Sequence, residues 1–169
     1  MLAAAQPRPF AATAVCSGPV VERLDVETIV SSSGNRWSAD GEPTVYLAGD
    51  AGIALAEVGR HWSPSDGPSR LWQVRVELAA AIDLRDDATR AAVGVPDDSD
   101  GFLDREQCQE IGSRLRRLRR CDGLIVPSVA FLDDRSRWNA VVFVDCLTVP
   151  LGQAVRAQQA THDLTPLGD

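Results

Sequence analysis

The sequence predicts an α+β fold: a single domain with a mixed β-sheet core and flanking helices. Three observations carry this. Short β-rich runs recur along the chain, such as Thr44–Ala48 and the alternating Leu71–Leu78. One stretch, from Cys108 to Leu118, repeats apolar residues at helical spacing. The two kinds of segment are interleaved, with strands dominant. A length of 169 residues with 44% hydrophobic content supports one ordinary core.

Taken in order, residues 1–9 read as a flexible N-terminal arm, 10–150 as the domain and 151–169 as a polar tail. Residues 10–30 hold short apolar pieces, read as one or two strands or as a strand and a turn. Ser31–Gly34 is a loop. Thr44–Ala48 follows Gly41 and Pro43 and reads as a strand. Asp50 is positioned to cap a helix over about 51–62. Pro64, Gly67 and Pro68 make the next loop. In Leu71–Leu78, Trp72, Val74, Val76 and Leu78 share one face, as in a half-buried strand. A short helix is predicted over Ala88–Val93, then an acidic loop over Pro96–Gly101. That loop lacks calcium-loop spacing and reads as solvated. Asp104 and Gln107 resemble a capping box for a helix to about Arg120. Its stripe is Cys108, Ile111, Leu115 and Leu118. Arg114, Arg116, Arg117, Arg119 and Arg120 are read as a solvated face that also favours the helix C-terminal dipole. Asp122-Gly123 ends the helix, and Leu124–Val126 and Asn139–Val144 are strands.

Charge and composition exclude several classes of function. The formal charge is −7, and all 17 basic residues are Arg. An acidic chain is a poor direct binder of nucleic acid or of an anionic membrane. Without Lys there is no Schiff-base or P-loop lysine chemistry. Only His61 and His162 are present, and Cys16, Cys108, Cys121 and Cys146 form no CxxC pair, so no metal site is predicted. The cysteines read as small buried hydrophobes of a reducing compartment, and the cytoplasm is the predicted location. No apolar run approaches the roughly 20 residues of a membrane-spanning helix.

The most unusual stretch is GNRWSADGEPTVYLAGDAGIALAEVGRH, residues 34–61. Singly, each polar residue has a plain structural explanation. Arg36 suits a surface loop, Tyr46 a core strand, and Glu57 a solvated helix. Together they resemble the RES-domain family. Members of that family carry a GGRW-type loop, a strand with Tyr and a helix ending in Glu-x-x-x-His. Here these are Gly34-Asn35-Arg36-Trp37, Tyr46, and Glu57 with His61. The resemblance resumes at ATRAAVGVPDD, at Gln107-Cys108, at Gly123–Ser128 and at Trp138–Asp145, so it covers about residues 30–146.

The resemblance implies an ADP-ribosyltransferase-like fold and the toxin of a toxin–antitoxin pair. Such a toxin breaks the nicotinamide–ribose bond of NAD+, with water or phosphate as acceptor. NAD+ is then substrate and no cofactor is implied. The implied partner is an Xre-type antitoxin covering the active site, and a homo-oligomer is compatible with the family. Carried onto this chain, the catalytic residues are Glu57, Arg36 and Tyr46, and the substrate-binding residues are Arg36, Trp37, Tyr46 and Ser128. The residue types fit the chemistry. A carboxylate stabilises an oxocarbenium-like ribose. A guanidinium fork suits a pyrophosphate. Tyr46 offers a ring or hydroxyl, and Ser128 a hydroxyl to the ligand.

Two departures matter. Asn35 replaces the second Gly of the loop, a change that still tolerates a left-handed turn. The first-strand Arg of the family has no counterpart near Val15 or Cys16. That leaves the pyrophosphate to Arg36 or to an arginine outside the aligned motif. His61, four residues after Glu57, shares its helix face, with a surface role the simpler reading. Two other functions stay open: a non-catalytic module binding a nucleotide or protein, and an ADP-ribosyltransferase acting on a macromolecule.

Overall fold

The strand β1 (Arg8–Gly18) opens the fold and takes up most of the apolar stretch at the N-terminus. The computed structural model describes residues 5–61, 63–96 and 102–164. Of the expected arm over 1–9, residues 1–4 lie outside the described residues, Ala5 is buried in the core and Arg8 enters the sheet. The acidic loop lies outside them from residue 97 to residue 101. Beyond β1 comes a single 3-10 turn, Val26–Ile29, capped by Asp25, so of the readings for residues 10–30 the structure takes the strand and turn.

The elements that follow are β2 (Thr44–Ala48), α1 (Ala51–His61), β3 (Ser69–Asp83), α2 (Asp87–Val93), α3 (Arg105–Arg117), β4 (Gly123–Pro127) and β5 (Trp138–Phe143). Last come the single turn α4 (Leu151–Ala154) and β6 (Val155–Leu164). The chain is thus a mixed α+β domain on a β-sheet core. Sheet order is β1-β2-β5-β4-β3-β6, and β1 also pairs with β3, so the pairings close a ring. β3 and β4 run parallel over Ala81–Asp83 and Gly123–Ile125; the other pairs are antiparallel. The ring is weakest between β1 and β2, which meet only at Val15 and Ala48.

Alternation explains the core. Trp72, Val74, Val76 and Leu78 of β3 turn inward with Val45, Leu47, Ile125, Ala140 and Val142. The outer face of β4 and β5, with Leu124, Val126, Val141 and Phe143, packs on Cys108, Ile111 and Leu115 of α3 and on Val93 of α2. β4 is buried throughout, as befits a strand covered on both faces. Cys16, Cys108 and Cys121 are buried and all four cysteines are free thiols. No helix among the described residues is long and apolar enough to cross a membrane.

The sequence reading needs three corrections. First, α3 stops at Arg117, and Leu118 is 41% exposed instead of extending the stripe. The chain leaves the helix there, through Arg119 at φ 50°. Second, the arginine cluster is not simply a solvated face. Arg116 is buried, ion-paired to Asp145 and bonded to Thr44 Oγ1 at 2.7 Å. Third, the stretch from 151, expected as a polar tail, is folded as far as Leu164. β6 pairs along Ser69–Val76 of β3. Its residues from Arg156 to Asp163 are exposed, so no hydrophobic alternation marks it as a strand.

Helix α3 approaches the loop after Gly34 very closely. A Cβ on Gly112 would lie 2.2 Å from the Trp37 carbonyl oxygen. Because that atom is backbone, the helix and loop must part to admit a methyl group. Alanine gains about 1 kcal/mol of helix propensity over glycine. Overpacking against a fixed neighbour costs roughly 1–3 kcal/mol, and a contact this short lies at the upper end. Gly112→Ala is therefore expected to lower the urea midpoint with an unchanged slope. An equal or higher midpoint would show that the helix is free to move.

Candidate active site

The gap between β1 and β2 opens into a cavity of about 320 Å³. Val15, Cys16 and Ser17 of β1 form one wall, and Tyr46, Leu47 and Ala48 of β2 another. α1 lies across it. The Asp50 side chain starts this helix by accepting from the Ile53 N–H at 2.9 Å, as the sequence predicts. Ala54, Glu57, Val58 and His61 then fall on one helical face and line the cavity.

Glu57 is half-buried and its carboxylate is held from the sheet. Oε1 accepts from Ser128 Oγ at 3.0 Å and from Asn139 Nδ2 at 3.4 Å. Ser128 is fully buried immediately after β4, and its Oγ also accepts from the Ala130 N–H at 3.3 Å. Its hydroxyl is engaged by Glu57 and Ala130, so it orients the carboxylate. Asn139, which also lines the cavity, was not singled out from sequence as a site residue. In sequence it is a polar position inside the apolar run of β5, within the late stretch that resembles the family.

The loop carrying Arg36 is fixed by several side chains. Asn35 Oδ1 accepts from the Arg36 N–H at 2.8 Å, and Asp40 Oδ1 accepts from the Gly34 N–H at 2.6 Å. Gln109 of α3 donates to Asn35 O at 2.7 Å and to Ser38 O at 3.2 Å. Arg36 lines the cavity, while its Nη1 donates to Phe102 O at 2.8 Å and Leu103 O at 3.1 Å. Part of the guanidinium is thus committed to backbone, and its remaining N–H groups are free of those bonds.

Trp37 and Tyr46 both reach the cavity wall, but their polar groups serve the loop. Trp37 is 2% exposed and its ring packs on Phe102, with centroids 6.2 Å apart. An indole buried in that way braces the loop at the cavity wall. The Tyr46 hydroxyl accepts from the Trp37 N–H at 3.3 Å and shares a 2.8 Å hydrogen bond with Ser38 Oγ. Burial raises the Tyr46 pKa, opposed by the bonds from Ser38 and Trp37 and by the Arg116 charge. The phenol is therefore neutral at ordinary pH, with its ring left for the cavity.

His61 lies on the cavity but is exposed. Cys16 is no nucleophile, since burial pushes its thiol up to about 12. Arg105, on the first turn of α3, lines the cavity and was missed from sequence. Its Nη2 donates to Gly34 O at 2.7 Å. The site thus combines an anchored carboxylate, two arginines and largely apolar walls. Such a set can stabilise developing positive charge at one point while holding an anion nearby.

The RES domain family matches residues 25–165 of this chain. Among solved structures, the chain is similar to one from the crystal structure of the M. tuberculosis MbcT-MbcA toxin-antitoxin complex. The TM-score is 0.75 at 23% identity, covering 97% of this chain and 90% of that one. At that identity the likeness is one of fold. No curated protein matches.

Proposed function

Because this chain belongs to the RES domain family, we propose that it is an enzyme that cleaves the nicotinamide–ribose bond of NAD+ and acts as the toxin of a toxin–antitoxin pair. The observation that carries this reading is the Glu57 carboxylate, held by Ser128 and Asn139 on the wall of the cavity. We read the ring of strands, opening between β1 and β2, as an ADP-ribosyltransferase-like arrangement.

In this reading the nicotinamide–ribose half of NAD+ enters the cavity with its ribose beside Glu57. Departure of nicotinamide leaves positive charge on the ribose, and the fixed carboxylate stabilises it. The Tyr46 ring flanks the reacting half. Arg36 holds the pyrophosphate with the N–H groups not given to Phe102 and Leu103. Water or inorganic phosphate then attacks the ribose, yielding ADP-ribose or its phosphorylated counterpart. The test is direct: purified protein is incubated with NAD+, with and without phosphate, and free nicotinamide is measured. No release under either condition would refute the reading.

Arg36→Lys keeps the charge but loses the planar fork, leaving three donors in place of five to share between the two carbonyls and the cavity. NAD+ affinity is expected to fall by roughly tenfold, about 1.4 kcal/mol. Titration in a Glu57→Gln background measures it without turnover. Equal affinities would exclude Arg36 as a clamp.

A second reading, nucleotide binding without turnover, is favoured by Val15 and Cys16 standing where the family places an arginine. NAD+ binding with no nicotinamide release would select it. Label from NAD+ appearing on a protein or nucleic acid would select transfer to a macromolecule. We also propose that an Xre-type antitoxin neutralises the protein by filling this cavity. Saturating ADP-ribose is then expected to weaken antitoxin binding, measured by titration on the Glu57→Gln variant. Simultaneous binding at unchanged affinity would place the inhibitory surface elsewhere.

A further inference from the structure

We propose that Arg105 is a diphosphate-binding residue at the mouth of the cavity, acting with Arg36 in place of the cation that β1 lacks. The assignment rests on reading the cavity as an NAD+ site. Three observations carry it.

The first is the composition of the cavity wall. β1 contributes Val15, Cys16 and Ser17, none of them a cation. Among the described residues, the arginines on the wall are Arg36 and Arg105. A dianionic diphosphate bound here therefore meets cationic charge from the Gly34–Trp37 loop and from α3, not from the first strand.

The second is that both guanidinium groups keep their charge and part of their hydrogen-bonding capacity. Among the described residues neither is paired with a carboxylate. Arg36 uses Nη1 on the carbonyls of Phe102 and Leu103, and Arg105 uses Nη2 on the carbonyl of Gly34. A guanidinium has five N–H donors in a fixed fork, so each retains donors after those bonds are made. The same bonds link the two residues through one loop. The chain just before α3 holds Arg36, and the first turn of α3 holds the start of the Arg36 loop.

The third is size. Ligand cavities typically measure roughly 300–1,000 Å³, and one of about 320 Å³ accepts part of a dinucleotide, not the whole. With the nicotinamide–ribose half inside, beside Glu57, the diphosphate emerges where the cavity meets solvent. Arg105 is exposed while still lining the wall, which places it there.

A purely structural strut between α3 and Gly34 is the alternative, and ligand choice separates the two. In a Glu57→Gln background, Arg105→Gln and Arg105→Lys are titrated with ADP, inorganic pyrophosphate and nicotinamide riboside, which has no diphosphate. Arg105→Gln is expected to weaken ADP and pyrophosphate by about tenfold and to flatten their salt dependence, leaving nicotinamide riboside unchanged. Arg105→Lys is expected to recover part of the ADP affinity. Unchanged ADP affinity in Arg105→Gln overturns the assignment, as does a parent protein that binds neither ADP nor pyrophosphate. An equal loss for all three ligands also overturns it, because a displaced loop would harm every ligand alike. If the parent binds ADP through Arg105 but not NAD+ or nicotinamide riboside, the assignment stands and the proposed NAD+ cleavage falls.

Discussion

Glu57→Gln is expected to lower nicotinamide release by about 10²-fold or more while leaving the fold intact. The substitution separates charge from shape. Glutamine retains an oxygen able to accept from Ser128 Oγ and Asn139 Nδ2, the two bonds that hold the carboxylate. Its helix propensity is close to that of glutamate, so α1 loses nothing by the exchange. What disappears is the negative charge that, in the proposed reaction, faces a ribose becoming positive in the transition state. That interaction strengthens as the bond breaks, so the loss falls on kcat more than on ligand affinity. Ser128→Ala is a useful contrast. It removes one bond to the carboxylate but not the charge, so a smaller fall in kcat is expected. A folded Glu57→Gln protein releasing nicotinamide at the normal rate would remove Glu57 from the chemistry.

The elements legible in the sequence are those with one face in the core. The Trp72–Leu78 alternation and the Cys108–Leu115 stripe repeat at the period of their structure, while Thr44–Ala48 and the Asp50 cap are legible from residue type and flanking turn residues. β3 continues past Leu78 through Ala79, Ala80 and Ala81, where small residues give no pattern to read. β6 has water on both faces over 156–163 and so shows no period at all. Arg36, Tyr46 and Glu57 stood out only as a set, because each type is ordinary in its own element. The bond between Glu57 and Ser128 spans 71 residues, and that from Asn139 spans 82. Nothing in local spacing encodes contacts at that range; the closure of β2, β5 and β4 into one sheet creates them. Arg105 is unreadable for the same reason. In sequence it is one more charged residue of a helix start, and only the packing of α3 on the Trp37 loop brings it to the cavity.

Replacing Arg116 is expected to be strongly destabilising. In sequence it is one of five arginines near the end of α3, yet only 4% of it is exposed. Its guanidinium pairs with Asp145, approaches Glu42 at 3.8 Å and donates to Pro43 O at 3.2 Å and Thr44 Oγ1 at 2.7 Å. It also lies 4.5 Å from the centroid of the Phe143 ring. One side chain thus ties α3 to the start of β2 and the end of β5. Removing one partner of a buried ion pair costs roughly 3–5 kcal/mol when the other charge is stranded. Here the stranding is incomplete. Asp145 has a 35% exposed side chain, and Glu42 keeps the Ser113 hydroxyl and the Ala39 N–H. Arg116→Met is therefore expected near the lower end, about 3 kcal/mol, read as a lower urea midpoint at constant slope. Arg117→Met, at the exposed neighbour, is expected to stay within about 0.5 kcal/mol of the parent. Tyr46 follows Thr44 by two residues, so loosening the start of β2 also loosens the hydroxyl that holds the Trp37 N–H. In Arg116→Met that is still folded, NAD+ affinity is then expected to drop together with stability. Equal midpoints for the Arg116 and Arg117 variants would mean that the buried network contributes nothing to holding β2 in place.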